Sequence, residues 1–156
     1  RGRVWGGAGG EKEAASMRGT VEGVENGGRT PDQVSDGGGQ AGYNSGDAGL
    51  WFIRAVCELA AVAQDRDTKD IVFAELVPAC HRVIAGYVVG TCFDIQVDQG
   101  DGLVSAGNES TQLTWMDAKR DGFVFTPRNG KPVEIQALWQ SALRSLAVLV
   151  ATKDIR

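Results

Sequence analysis

Asp47-Ala48-Gly49-Leu50-Trp51-Phe52-Ile53-Arg54-Ala55-Val56-Cys57-Glu58-Leu59-Ala60-Ala61-Val62-Ala63-Gln64 is the stretch on which the reading of this chain turns. It has helical length, and its apolar residues leave few sides polar. A surface helix keeps a polar face opposite its apolar stripe, whereas one that is apolar nearly all round is buried within a larger body. Trp51 is expected in that core. Downstream, Asp65-Arg66-Asp67-Thr68 breaks the run, and Thr68 is placed to cap the next helix. Residues 69–89 put Ile71, Val72, Leu76, Val83, Ile84, Tyr87 and Val88 at helical spacing, with Pro78 expected to kink or split the helix and Gly90 to stop it. Residues 91–131 lose the helical period. Phe93–Val97 and Gly102–Ser105 alternate briefly, as short strands would, around a turn at Asp98–Gly102. A third helix then opens at Pro132, with Glu134 complementing its dipole and Ile135, Leu138, Trp139, Ala142, Leu143, Leu146, Leu149 and Val150 forming its stripe. The predicted architecture is all-α: helix, helix, long irregular loop, helix.

Upstream of Asp47 the composition is different. Fifteen of the 22 glycines fall in the first fifty residues, where Glu11–Glu22 offers one short, weakly patterned helix. Glycine buries no side chain and loses the most backbone freedom on folding, so residues 1–35 are read as a separate, weakly folding segment. Gly6-Gly7-Ala8-Gly9-Gly10 lacks the order and the preceding strand of a phosphate loop. The chain opens at Arg1 with no apolar signal core, and it is expected to be a central piece of a longer product. The net charge of −4 argues against a nucleic-acid partner, which needs a cationic face. No uninterrupted apolar run of spanning length is evident, so no membrane partner is expected. Cys57, Cys80 and Cys92 are widely spaced, and His81 is the single histidine. That arithmetic disfavours a zinc site, and no nucleophile elbow accompanies His81. Buried free thiols at Cys57 and Cys80 suit a reducing, cytoplasmic setting.

Three blocks of sequence carry a resemblance. They are Asp36-Gly37-Gly38-Gly39 with Tyr43-Asn44-Ser45-Gly46-Asp47-Ala48-Gly49-Leu50-Trp51-Phe52-Ile53; Asp101-Gly102-Leu103-Val104-Ser105-Ala106-Gly107; and Gln112-Leu113-Thr114-Trp115-Met116-Asp117-Ala118-Lys119 with Thr126-Pro127-Arg128-Asn129-Gly130-Lys131-Pro132-Val133-Glu134-Ile135-Gln136-Ala137-Leu138-Trp139. In this order and spacing they resemble the C-terminal, amylo-α-1,6-glucosidase domain of glycogen debranching enzymes, over about residues 36–150. The resemblance implies an (α/α)6 barrel, a toroid of two concentric helical rings with its active site at one end. Three or four helices do not close such a ring, so residues 36–156 are expected to form part of one, with a long irregular active-site loop. It implies hydrolysis of α-1,6 branch linkages in glycogen or a limit dextrin, with inversion and with no metal or organic cofactor. Departures from the family pattern are Gln136, where Asn is usual, and Gly46 and Gly49, where bulkier residues are usual and whose presence is expected to loosen the helix start.

Glycoside hydrolysis needs one carboxyl to protonate the leaving oxygen and a second to activate water or attack. Asp117 follows Trp115 and Met116, whose apolar bulk would favour a protonated acid. A solvated turn residue paired with Lys119 or Arg120 is an equal reading on residue physics, and the resemblance tips the choice to the general acid. Asp47 either caps a helix or, as the resemblance implies, joins Tyr43 and Asn44 in holding sugar hydroxyls. Trp115 and Trp51 are stacking candidates, a core position being the favoured reading for Trp51. Lys119, Arg128, Lys131 and Glu134 complete the substrate-side residues that the resemblance implies, with structural ion pairing an equal reading for Arg128 and Lys131. Asp154 follows the last helix rather than lining a pocket, and the resemblance puts the general base far downstream of the acid. Two other readings remain: a trehalase- or glucoamylase-like enzyme of the same barrel class, and an inactive carbohydrate-binding fragment.

Overall fold

The structure, a computed structural model, describes Val24, Thr30 and residues 45–153. The segment 1–35 and the Glu11–Glu22 helix otherwise lie outside the described residues, as do Tyr43 and Asn44. The described residues are mainly α. They comprise α1 (Ala48–Val62), α2 (Arg66–Ile71), a π turn (Val72–Leu76), α3 (Val77–Val89), a 3-10 turn (Cys92–Asp94), β1 (Gln96–Val97), β2 (Val104–Ser105), β3 (Lys119–Arg120), β4 (Phe123–Val124) and α4 (Val133–Lys153). Two separate antiparallel hairpins, β1–β2 and β3–β4, interrupt the helices. The second hairpin lies in sequence that carries no strand signal.

The core forms where α1, α3 and α4 meet. Leu50, Ile53 and Val56 of α1 face Val72, Leu76 and Val83 from the second helical run and Ile135, Trp139, Ala142 and Leu146 of α4. Fully burying one such aliphatic side chain contributes ~1.5–3 kcal/mol. Tyr87 stacks on Trp139 with ring centroids 5.8 Å apart and planes 8° from parallel, joining α3 to α4. Gly49 lets α1 come close to α3, since a Cβ there would lie 2.8 Å from Val83 Cγ1. This glycine tightens a helix crossing rather than loosening a helix start.

Three sequence expectations are corrected here. Trp51 is not core: it is 55% exposed, on the face of α1 that also presents Arg54, Glu58 and Val62 to solvent. Thr68 does not cap α2; Asp65 does, its carboxylate accepting from the Thr68 amide at 2.7 Å, while Thr68 itself is buried. Pro78 interrupts the α pattern as expected: α2 gives way to a π turn, and α3 begins with the proline in its first turn. The preceding π turn closes with Val77 N–H on Val72 O, a wider ring that accommodates the missing proline N–H and ring clash within the first turn of α3. Phe93 and Asp94 do not extend the strand, because both take left-handed backbone conformations in the 3-10 turn.

Arg66–Val89 consequently runs on as 24 helical residues whose most apolar window has mean hydropathy 1.4, long and apolar enough to cross a membrane by those measures. This corrects the expectation that no such segment exists. About 39% of that window is buried in the fold, with Val72, Leu76, Ala79, Cys80, Val83 and Tyr87 in the core. The free thiols also differ from one another: Cys80 is buried, Cys57 half-buried and Cys92 exposed. Burial pushes the Cys80 thiol up to about 12 and raises that of Cys57 as well.

Candidate functional site

The start of α1 is the first part of the candidate site. Ser45 caps this helix, its hydroxyl accepting from the Ala48 amide at 3.0 Å and the Asp47 amide at 3.2 Å and donating to the Asp47 carboxylate. Asp47 occupies the N-cap position, yet its side chain caps nothing. The capping reading therefore passes to Ser45, and the half-buried Asp47 carboxylate is held by that hydroxyl. The Tyr87 hydroxyl donates to Gly46 O at 2.8 Å just beneath. Burial raises the pKa of this phenol, and the nearby Asp47 charge raises it further.

The long loop reaches this helix start directly. Gly46 N–H donates to Leu113 O at 2.6 Å, and a Cβ on Gly46 would stand 3.2 Å from that oxygen. Leu113 and Thr114 are buried, and Thr114 Oγ1 accepts from the Met116 amide at 3.3 Å. Beyond them Trp115 is 69% exposed and Asp117 is exposed. The apolar shell expected around the Asp117 carboxyl is thus not built by Trp115 within the described residues. Asp117 makes no ion pair with a described residue. Arg120, one of its expected partners, faces Asp121 at 3.6 Å, and Lys119 is exposed on β3. Asp121 is a carboxyl downstream of Asp117 that the sequence reading passes over, and it takes a positive φ of 52° at the hairpin turn.

The start of α4 supplies the third part. Glu134 lies in its first turn, and its Oε2 accepts from Arg128 Nη1 at 3.2 Å. Arg128 Nη2 donates to Met116 Sδ at 3.1 Å. Arg128 Nε and Glu134 Oε1 are buried without partners among the described residues. Lys131 is engaged elsewhere, by Asp98 at 2.6 Å and Asp101 at 2.7 Å in the β1–β2 turn. These contacts hold both carboxylates below their usual range and raise the Lys131 ammonium. Gln136 clamps the same hairpin: its amide accepts from Val104 N and donates to Val104 O, both at 2.8 Å. Trp139 Nε1 donates to Gly102 O at 3.2 Å, and an Ala106–Gly130 bridge closes the loop base.

Among the sequence-predicted residues, then, Asp47 and the Trp115–Asp117 segment share one end through Gly46 and Leu113. Glu134 and Arg128 join that segment through Met116. Lys131 and Lys119 are directed to other contacts or to solvent. Ser45 is a polar residue of this end that the sequence reading missed, and Gln136, singled out only as a departure from the family pattern, has the clamp on Val104 as its role. A Ser three residues before the amide it caps is a recognisable signal, whereas the clamp on Val104, 32 positions away, leaves none. Two open grooves, of about 450 and 400 Å³, are lined respectively by Leu103, Trp139 and Arg144 and by Cys57, Glu58 and Leu149, among others, rather than by Asp47, Asp117 or Glu134.

A family model described as amylo-alpha-1,6-glucosidase matches residues 12–155, most of the chain. The chain belongs to this family. The amylo-alpha-1,6-glucosidase match covers all three site parts, the start of α1, the long loop and the start of α4, and puts the chain with glycosidases of the glycogen-debranching type. It also extends into the glycine-rich segment, upstream of the resemblance read from residues 36–150. No curated protein and no solved structure matches the chain.

Proposed function

We propose that residues 36–156 form part of the (α/α)6 barrel of a cytoplasmic enzyme that hydrolyses α-1,6 branch linkages in glycogen or limit dextrin, with residues 1–35 as a separate segment. Asp117 is the general acid that protonates the departing glucosidic oxygen. Asp47, with Tyr43 and Asn44, accepts hydrogen bonds from hydroxyls of the terminal glucose, and Trp115 stacks on a sugar face. Lys119 and Glu134 face the same substrate, whereas Lys131 serves the hairpin. The general base comes from outside this chain. In an inverting enzyme it stands ~6.5–9.5 Å from the acid, leaving room for the attacking water. Hydrolysis by two carboxyl groups calls for no metal or organic cofactor, and no nucleic acid takes part.

One observation carries this reading. The segment bearing Asp117 is bonded at Leu113 to the start of α1, beside Asp47, and at Met116 to Arg128, which also holds Glu134. Two helix starts, each with a carboxylate, are thus bonded to one loop that carries a third, within a family of glycosidases. The exposure of Asp117 and Trp115 fits a site whose remaining wall belongs to the rest of the barrel. The test is Asp117→Asn in the intact enzyme. Glucose release from an α-1,6-branched limit dextrin should nearly vanish while dextrin binding persists, and a near-normal kcat would refute the assignment.

A further inference from the structure

We infer that Arg128 is a positioning residue, a tether that fixes the Trp115–Asp117 segment against the start of α4. This inference rests on Asp117 as the acid and adds the device that aims it. The loop from Gly107 to Lys131 holds little regular structure beyond the β3–β4 hairpin, so geometry at Asp117 depends on individual contacts. On the upstream side Leu113 O is fixed by Gly46 N–H at 2.6 Å. On the downstream side Phe125 N–H donates to Ala118 O at 3.2 Å, which closes the hairpin on itself but anchors it to no helix. Between these points, among the described residues, the bond from Arg128 Nη2 to Met116 Sδ ties the segment to α4.

The guanidinium suits this task and an ammonium does not. Its two terminal nitrogens point to different partners, Nη1 to Glu134 Oε2 and Nη2 to Met116 Sδ, in a rigid planar fork. Glu134 is itself fixed, because it sits two residues before Gln136, which clamps the start of the same helix to Val104. Rigidity passes from β2 to α4, from Glu134 to Arg128, and from Arg128 to Met116, the residue before the acid. The ion pair is only about a fifth to a third exposed, so solvent screens it less than a surface pair. A thioether is a weak acceptor, so this tether sets direction more than it adds stability.

The intact enzyme with the variants Arg128→Lys and Met116→Leu tests the inference on branched limit dextrin. In Arg128→Lys the ammonium can still pair with Glu134 but cannot span both partners. Met116→Leu keeps the bulk of the side chain while removing the sulfur acceptor. Because a displacement of ~1 Å can cost ~100-fold in rate, Arg128→Lys should lower kcat by about tenfold to 100-fold with KM within twofold. Met116→Leu should lower kcat in the same direction by less. The double variant Asp117→Asn/Arg128→Lys should be no slower than Asp117→Asn, since Arg128 acts through the acid. A raised KM at unchanged kcat would make Arg128 a substrate contact and overturn the inference, as would wild-type kcat in Arg128→Lys. If Arg128→Lys does not fold, an unchanged kcat in Met116→Leu overturns it instead. Failure of the parent reading is separate: it would appear as a near-normal kcat in Asp117→Asn.

Discussion

Gln136→Leu should loosen the β1–β2 hairpin from α4, and the size of the effect follows from two distances. The Gln136 amide meets both the N–H and the C=O of Val104 at 2.8 Å, and Val104 has no exposed surface. Leucine fills similar space with no polar atom, so it leaves one buried donor and one buried acceptor unpaired. Each such group costs ~1–3 kcal/mol, and because the two share a residue and relax together we expect about 2–4 kcal/mol in all. At ~1.4 kcal/mol per tenfold, protection of the Val104 amide against hydrogen exchange should fall about 30- to 700-fold. Gln136→Asn withdraws the amide by roughly one carbon–carbon bond, ~1.5 Å, which takes both contacts past hydrogen-bonding range. It keeps a polar group that water can bridge, so its loss should be smaller than that of leucine. Exposed Gln140 is the control. Unchanged Val104 protection in Gln136→Leu, or an equal loss in Gln140→Leu, would refute the reasoning.

Gly49→Ala should lower the urea midpoint of unfolding. Its Cβ would meet Val83 Cγ1 at 2.8 Å, and overpacking costs ~1–3 kcal/mol against the ~0.5–1 kcal/mol that replacing a helical glycine returns; a raised midpoint would contradict the close crossing of α1 and α3. The Asp98–Lys131–Asp101 cluster should give a pH signature. Both carboxylates are depressed in the folded state, so their contribution is present above the unfolded carboxylate value of ~3.9 and lost as pH falls through the folded values. Lys131 is raised, so its contribution is present below ~10.4 and lost as pH rises through its folded value. The difference in urea midpoint between the parent and Lys131→Met should be largest between those limits and shrink at both ends, and a difference independent of pH would dismiss the cluster.

Helix type and order were legible in the sequence because a helix is written in local periodicity. The apolar spacing in 47–64, 69–89 and from Pro132 onward translates into α1, the Arg66–Val89 run and α4 almost residue for residue. Gly90 ends its helix as expected, with φ of 104° that favours glycine. Family membership was equally local, since it rests on short blocks such as Thr114–Lys119 and Pro132–Trp139. The β3–β4 hairpin was not legible, because the charged, exposed pair Lys119–Arg120 offers no apolar alternation and Asp121-Gly122 alone marks the turn.

What only the tertiary structure decided is which partner each polar or apolar side chain meets. Trp51 belongs to an apolar run, yet the helix axis turns it to solvent, because burial depends on where α3 and α4 pack. Lys131 answers aspartates 33 and 30 positions earlier, Gln136 a backbone 32 positions earlier, and Arg128 both Met116 and Glu134. Residue types and spacings fix local dihedral preferences and hydrophobic faces, which act over a few residues. Contacts between segments depend on how the faces close over a shared core, and side chains at its margin take their partners only once that closure has occurred.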